Sequence, residues 1–422
     1  MKVVVVGGGY VGLVTATCLA ERLHDVTIIE IDAEKVRAIN AGLPPIYEKG
    51  LEGLLKKNAG KRLRAQTGFD AVAAAEIVFI CVGTPQRPDG SADLTFIESA
   101  STAIGTALKN ASSCIVVTKS TVPPGTTENV VRPRVLAASR KTGTEIGFAM
   151  NPEFLREGRA VEDFLNPDRI VIGSSDPETG KRVARVYEGF PAPVLFTGIS
   201  AAEMIKYASN AFLATKISFS NEIGNICKRL GIDVYEVMKG AGLDPRIGPL
   251  FLNAGAGFGG SCFPKDVAAL ISLARKNGED PVLLQSVLAV NEQQPHRMTA
   301  LLEEKIGSLS KKRIAVLGLA FKDNTDDIRD SRAIVVIADL LRKGASVAAY
   351  DPMAMENMRR IFPEIEYSSS AAAALRGADG CLVMTEWPEF SYLDDEFGLM
   401  AQKVIIEGRR ILSCKGADGI CW

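Results

Sequence analysis

The segment GFGGSCFPKD, residues 257–266, brings a thiol, an ammonium and a carboxylate together as Cys262, Lys265 and Asp266. A thiol attacks carbon as its thiolate, which a nearby cation favours. Gly257, Gly259 and Gly260 ahead of it offer a bare backbone that a ligand can approach closely. A lone cysteine is more often a small buried hydrophobe, yet that use calls for no glycines. The pattern therefore favours covalent catalysis. Lys265 or a cation from elsewhere would stand beside the thiol, with Asp266 placing a water or orienting a lysine.

A second constellation opens the chain. In VVVVGGGYVGLV, Gly7, Gly9 and Gly12 fit G-x-G-x-x-G directly after a strand pattern and at the start of a helical one. The first glycine permits a tight turn, the second admits a pyrophosphate to the backbone, and the third lets helix and strand pack closely. Glu30 closes the next strand, where an acid would hold the adenosine ribose hydroxyls. An acid there repels a 2′-phosphate, so NAD is expected rather than NADP.

Other candidates stay open on residue type alone. Lys206 and Asn210 stand one helical turn apart, as a functional pair or as a solvated face. Glu153 and Glu157 in NPEFLREG would share a face if a helix began there, as helix-terminal acids or as base and anchor. Lys322, Arg329, Arg409 and Arg410 beside strand ends favour a diphosphate site over ordinary surface solvation.

Composition narrows the classes. The chain has 422 residues and a formal net charge of −1, so it can bury a substantial core and has no global attraction for nucleic acid. No apolar run reaches the ~18 residues of a membrane helix, and MKVVVV enters a strand without the pattern of a signal peptide. Only His24 and His296 are present, both expected at the surface, so the base is not expected to be histidine. The eight cysteines form no CxxC pair and have no histidine nearby, so no metal is expected. Cys414 and Cys421 lie close in sequence, but a cytoplasmic, reduced protein is expected and no disulfide is assigned to them.

Two sheets must position these groups. The runs KVVVV, DVTIIE, EIVFICVGTP, SCIVVTKSTVPPGTT and IGFAMNPEF alternate with helical stretches, as in a doubly wound α/β sheet. Thr84, Thr121 and Glu153 fall just after strand ends, where such sheets collect ligands. The stretch SAAEMIKYASNAFLATKISFSNEIGNICKRLG keeps apolar residues at three- and four-residue spacing without proline and stops at Gly231, predicting one long central helix. KKRIAVLGLAFKDNTDDIRDSRAIVVIADLLRKGASVAAYDP then repeats the order strand, turn, helix, strand and acid, a second and divergent Rossmann-like half.

GFGGSCFPKD, STVPPGTT, NPEFLREG, EMIKYASNAF, DPRIGP and GLAFKDNTDDIR occur in the order and at the spacing of the UDP-glucose/GDP-mannose dehydrogenases, which the whole chain closely resembles. The resemblance implies oxidation of a nucleotide sugar's C6 alcohol to a carboxylate with two NAD, UDP-glucose to UDP-glucuronate in the first place. GDP-mannose and a UDP-N-acetylamino sugar are the alternatives. It implies residues 1–199 as the NAD-binding domain and 200–304 as a helical connector and dimerisation region with the cysteine loop. Residues 305–422 would bind the UDP-sugar. The enzyme would be a homodimer or an assembly of dimers.

The same resemblance gives Cys262 the role of nucleophile, forming a thiohemiacetal and then a thioester. Lys206 and Asn210 would meet charge on the C6 oxygen, with Asp266 serving Lys206 or the water that acts as base. Glu153 would serve thioester hydrolysis, and Thr121 would hold a water. NAD would lie near Val11, Glu30, Lys35, Thr84, Thr121, Lys265 and Arg329, with Glu157 at its junction with substrate. The sugar nucleotide would meet the turn of Glu153, Phe154, Leu155, Arg156 and Glu157, besides Lys206 and Asn210. It would also meet Phe251, Leu252, Asn253, Ala254 and Gly255, and then Gly259, Phe321, Lys322 and Arg409. Arg246 would reach a neighbouring subunit's site. Glu30 stands where many members have aspartate. Two rivals remain: a two-electron 3-hydroxyacid-type dehydrogenase, which has no use for the cysteine loop, and an NAD-sensing protein without catalysis.

Overall fold

The computed structural model describes residues 1–422 except Ser112, Cys414 and Lys415, so Cys414 lies outside the described residues. The chain divides into two compact units, Met1–Ser209 and Asn210–Trp422.

The first unit is built on β1 (Lys2–Val6), β2 (Asp25–Ile29), β3 (Leu63–Gln66), β4 (Ile77–Ile80), β5 (Cys114–Thr118), β6 (Ile146–Met150), β7 (Ile170–Ser174) and β8 (Val194–Thr197). Their order is β3-β2-β1-β4-β5-β6-β7-β8, parallel throughout except between β6 and β7. The valines of β1 show why. Side chains alternate faces along a strand, so Val3 and Val5 enter one hydrophobic cluster while Val4 and Val6 enter another. Both faces are covered, each buried valine contributing roughly 1.5–3 kcal/mol. A run of four valines therefore suits a central parallel strand. The connections run one way from β1 to β3 and the other way from β4, which opens a crevice beyond the carboxyl ends of β1 and β4.

The second unit repeats the permutation with β9 (Arg313–Leu317), β10 (Ser346–Tyr350), β11 (Glu366–Tyr367), β12 (Gly380–Val383), β13 (Ile405–Glu407) and β14 (Ala417–Gly419). The order is β11-β10-β9-β12-β13-β14, all parallel. The predicted long helix spans Ile199–Leu230, 32 residues, and the boundary between the units falls inside it. Gly231 follows it with φ +69°, a conformation that ends helices at little cost for glycine alone.

The acid that ends β10 has a purely architectural task. Asp351 is fully buried, and its carboxylate accepts five hydrogen bonds: from the N–H groups of Leu319 (2.7 Å), Ala320 (3.0 Å), Met353 (2.8 Å) and Ala354 (2.8 Å), and from Trp387 Nε1 (3.0 Å). It fastens the turn after β9 to the end of β10. Asp351→Ala leaves those donors unpaired out of water, and chemical denaturation is expected to show a loss of at least about 3 kcal/mol.

Candidate active site

The turn after β1 is fitted to a dinucleotide. Gly7 has φ +103°, and a Cβ there would lie 2.7 Å from Cys81 O. A Cβ on Gly12 would lie 1.9 Å from Gly7 O, whereas one on Gly9 would meet nothing within 4 Å. Gly7 and Gly12 are thus demanded by the fold, and Gly9 is the open face at the start of the helix Tyr10–Glu21. Glu30 is buried; Oε2 accepts from Gly8 N (2.9 Å) and Oε1 from Asp32 N (3.0 Å). Each oxygen keeps a second lone pair for a ribose hydroxyl. Val11 and Lys35 are half-buried on the helices that follow β1 and β2. Thr84 Oγ1 donates to Thr121 O (2.8 Å), tying the loops after β4 and β5. These residues fit NAD.

Beyond β6 the chain turns through Asn151–Gly158 without forming a helix, and the next helix begins only at Ala160. Glu153 and Glu157 therefore do not share a helical face as their spacing allowed. Glu153 is buried, whereas Leu155 and Glu157 are half-buried. One oxygen of Glu153 accepts from Leu155 N (2.5 Å) and the other lies 3.1 Å from Lys206 Nζ. Burial alone would raise its pKa, but the Lys206 charge, the Leu155 N–H and the charge of Lys119 together hold it below the ordinary value. Phe154 fixes the turn, its ring lying under Arg169 (3.9 Å to the centroid) with Lys206 nearby (5.4 Å). Arg156 is exposed and paired with Asp163 (2.6 Å).

Two neighbours of this turn carry no signal in the sequence. The carboxylate of Glu48 accepts from Tyr10 OH, Gly158 N (2.8 Å) and Ala160 N (2.9 Å), tying the turn to the dinucleotide helix. Lys119 is buried after β5 beside Asn151 and Tyr187.

In the second unit Cys262 is half-buried at the N-cap of the helix Phe263–Lys276, where unpaired N–H groups favour negative charge. Its Sγ lies 3.6 Å from Ser261 Oγ. Asp266, one turn on, is buried and accepts from Asn210 Nδ2 (2.6 Å) and Lys265 Nζ (2.5 Å). The lysine bonded to Asp266 is Lys265, whereas Lys206 is paired with Glu153. Lys206 and Asn210 are both buried, which removes the solvated-face reading.

The glycines before Cys262 answer to protein as well as to any ligand. A Cβ on Gly259 would stand 2.2 Å from Asp330 O, and one on Gly260 2.6 Å from the Phe321 ring. A Cβ on Gly257 would stand 2.7 Å from Asn291 Oδ1. Three buried amides hold the loop. Asn221 Oδ1 accepts from Gly255 N (2.7 Å), and Gln294 Nε2 donates to Gly255 O (2.9 Å). Asn291 accepts from Phe258 N (2.7 Å) and donates to Phe258 O (3.0 Å). Leu252 and Ala254 are buried, Asn253 is exposed, and Phe251 adopts φ +63°, a strained conformation for a bulky residue.

The cations of this unit divide. Arg409 donates to Gly257 O, and Lys322 lies over the Phe321 ring (5.4 Å). Arg329 is exposed and paired with Asp327 (2.6 Å), whereas Arg410 is turned to Asp233 (2.7 Å). Arg246 is exposed and paired with Asp244 in its own turn. Among the described residues no cluster could hold a metal ion, no disulfide joins the seven described cysteines, and no helix is long and apolar enough to cross a membrane. His24 is bonded to Val186 O (3.0 Å) and half-buried; His296 is exposed and paired with Asp339.

The loop carrying Thr121 is anchored by another residue the sequence does not reveal. Glu203, fully buried on the long helix, accepts from Gly125 N (2.5 Å) and Thr127 N (2.8 Å). Burial pushes its carboxyl up from 4.5 to about 7. The native state then holds a proton that the unfolded chain has released, so this group's contribution to stability falls as pH rises from about 4.5 to about 7. In thermal melts across that window, wild-type stability is expected to decline more steeply with pH than that of Glu203→Gln.

Comparison with known proteins agrees with this geometry. Residues 1–191, 200–293 and 315–414 match the NAD binding, central and UDP binding domains of the UDP-glucose/GDP-mannose dehydrogenase family. The chain is 51% identical over 421 residues to the UDP-glucose 6-dehydrogenase AglM of Haloferax volcanii, covering 98% of this chain and 97% of that protein. It is 44% identical to the UDP-glucose 6-dehydrogenase TuaD of Bacillus subtilis, covering 98% and 90%. A solved UDP-glucose dehydrogenase from Pyrobaculum islandicum superimposes with a TM-score of 0.95 at 43% identity, over 100% of this chain and 98% of that one. A UDP-D-ManNAc dehydrogenase from Pyrococcus horikoshii gives 0.88 at 29%, covering 100% and 99%. By motif, fold and whole-length similarity, the chain belongs to the UDP-glucose/GDP-mannose dehydrogenase family.

Proposed function

We propose that this protein catalyses the NAD-dependent four-electron oxidation of UDP-glucose to UDP-glucuronate. The observation that carries this reading is Cys262 at a helix N-cap, one turn from a buried carboxylate bonded to Asn210 and Lys265. A two-electron alcohol dehydrogenase has no task for that thiol. UDP-glucose is favoured over GDP-mannose or a UDP-N-acetylamino sugar because the relatives named for it match at 51% and 44% identity, against 29% for the UDP-D-ManNAc enzyme.

NAD, when bound, accepts two electrons in each of the two oxidations. The turn at Gly9, with Val11, Glu30, Lys35, Thr84, Lys265 and Arg329, would bind it, and Glu157 would sit where it adjoins the sugar. Lys206 and Asn210 would receive the charge on the C6 oxygen, where one well-placed donor is worth ~3 kcal/mol. Asp266 and a water held by Thr121 would take the hydroxyl proton. Cys262 Sγ would then bond to the aldehyde carbon as a thiohemiacetal, retaining the aldehyde on the enzyme. Oxidation gives a thioester, and Glu153 would draw a proton from the water that cleaves it, releasing carboxylate and thiol. The sum is one alcohol, one water and two NAD converted to one carboxylate, two NADH and three protons.

The turn at 153–157, the backbone from Phe251 to Gly255, Gly259, Phe321, Lys322 and Arg409 would hold the nucleotide sugar. On this reading residues 1–199 bind NAD, 200–304 connect and dimerise, and 305–422 bind the UDP moiety, in a cytoplasmic enzyme. Phe212, Phe219 and Ile226 recur every seventh residue on the long helix at 65%, 53% and 52% exposure. That stripe supports a homodimer, to which Arg246 would contribute across the interface.

With NAD in excess, about two NADH are expected per UDP-glucose consumed, and Cys262→Ser is expected to lose complete turnover. A ratio near one, or a fully active Cys262→Ser, would sink the covalent route. Sedimentation equilibrium is expected to show a dimer or multiples of it for the wild type and monomer for Phe219→Glu. A monomeric wild type would refute the assembly.

A further inference from the structure

Lys119 is a buried ammonium that the reaction as written does not use. It follows β5, is 3% exposed, and donates to two neutral acceptors, Asn151 Oδ1 (3.0 Å) and Tyr187 OH (3.3 Å). The rings of Phe79, Phe164 and Tyr187 surround it, with centroids 5.8–5.9 Å away. Among the described residues it forms no ion pair. A lysine out of water with only neutral partners is costly to keep, so its charge calls for a use. Asn151 Nδ2 donates to Val171 O (2.8 Å), which holds the Asn151 oxygen toward the ammonium.

The candidate for that charge is Glu153, on which it acts. Lys119, Asn151, Glu153 and Tyr187 line one cavity of about 150 Å³. The positive field of Lys119 acts on Glu153 in the same direction as that of Lys206. Here the proposed function imposes a conflict. Lys206 is the ion-pair partner of Glu153 at 3.1 Å, yet catalysis asks it to meet the charge on the C6 oxygen. A single ammonium cannot serve two anions fully.

We propose that Lys119 is a positioning residue: a second buried cation that keeps Glu153 ionised while Lys206 turns its charge to the sugar. Glu153 thus has two ammonium groups about it, and an anionic C6 oxygen would partner the one that turns away; with Lys206 counted, the four cations of the cavity face four carboxylates. The other charged groups lining it are Arg156, Glu162, Asp163, Asp168 and Arg169. Arg156 is engaged with Asp163, Glu162 with Arg159, and Arg169 lies over Phe154. The thiol of Cys81, also within reach of Lys119, is pushed up to about 12 by burial and stays neutral.

The inference rests on Glu153 as the hydrolytic base, and the test separates the two. The full-length enzyme with saturating NAD would be compared as wild type, Lys119→Met, Lys119→Gln, Lys119→Arg and Glu153→Gln. Lys119→Gln retains hydrogen-bonding capacity without charge, so loss of charge is read apart from loss of packing. In both neutral variants kcat on the acid limb is expected to fall about tenfold, with the plateau at higher pH kept and KM for UDP-glucose within about twofold. The acid limb of the kcat–pH profile should move upward by about one pH unit. On that limb intact-protein mass should show the sugar accumulating on Cys262 in the neutral variants, and Lys119→Arg should restore the wild-type limb. If Glu153→Gln abolishes the acid limb while Lys119→Gln keeps it in place, the role of Lys119 is overturned and that of Glu153 stands. If Glu153→Gln behaves as wild type, the base assignment fails and the role of Lys119 fails with it.

Discussion

A carboxylate taken out of water must be met by donors, and most of this molecule's working geometry follows from that one requirement. Five such groups set its local architecture, and they fall into two kinds. Glu48, Glu203 and Asp351 are satisfied largely by backbone N–H groups, so each fastens one stretch of chain to another. Glu153 and Asp266 also have side-chain donors, Lys206 beside the Leu155 N–H in one case and Asn210 with Lys265 in the other. A backbone donor cannot leave without unfolding its segment, whereas an ammonium or amide can turn to a ligand. The first kind holds the fold, and the second kind is available for chemistry.

The two sheets show how one strand order serves different ends. Each places an acid after its second strand: Glu30 in the first unit and Asp351 in the second. Glu30 makes two backbone hydrogen bonds and keeps lone pairs to spare, as a ribose-binding acid needs. Asp351 spends its acceptor capacity on five internal donors. The turn after β9 lacks the three-glycine fingerprint, and Asp351 closes that turn where the first unit leaves its own open.

Much of this was legible in the chain because it is carried by local patterns. β1, β2, β4, β5, β6, β9 and β10 announce themselves by short apolar runs, whereas β3, β7, β8 and β11 to β14 do not; the long helix shows by its spacing and Gly231, and the dinucleotide turn by Gly7, Gly9 and Gly12. Cys262 stood out by its neighbours. The turn at Glu153 is not decided by the sequence, because four-residue spacing is necessary for a helical face but not sufficient. Lys119, Glu48 and Glu203 were missed for a different reason. Lys119 reaches partners 32 and 68 positions away, and Glu48 grips Gly158 and Ala160 at separations of 110 and 112. No periodicity or short motif encodes such pairings. The glycines ahead of Cys262 suggest a ligand's close approach, whereas the fold itself requires them against Asn291, Phe321 and Asp330.

That last contact couples two segments mechanically. Gly260 N donates to Arg329 O (2.8 Å), and the Cα positions of Gly259 and Gly260 sit so close to Asp330 and Phe321 that not even a methyl group fits between. There is no slack in such a joint. A side chain on either glycine would force apart the strip from Phe321 to Asp330 and the peptide that leads into Cys262. The position of Cys262 therefore depends on a strip some sixty residues further along the chain as well as on its own helix.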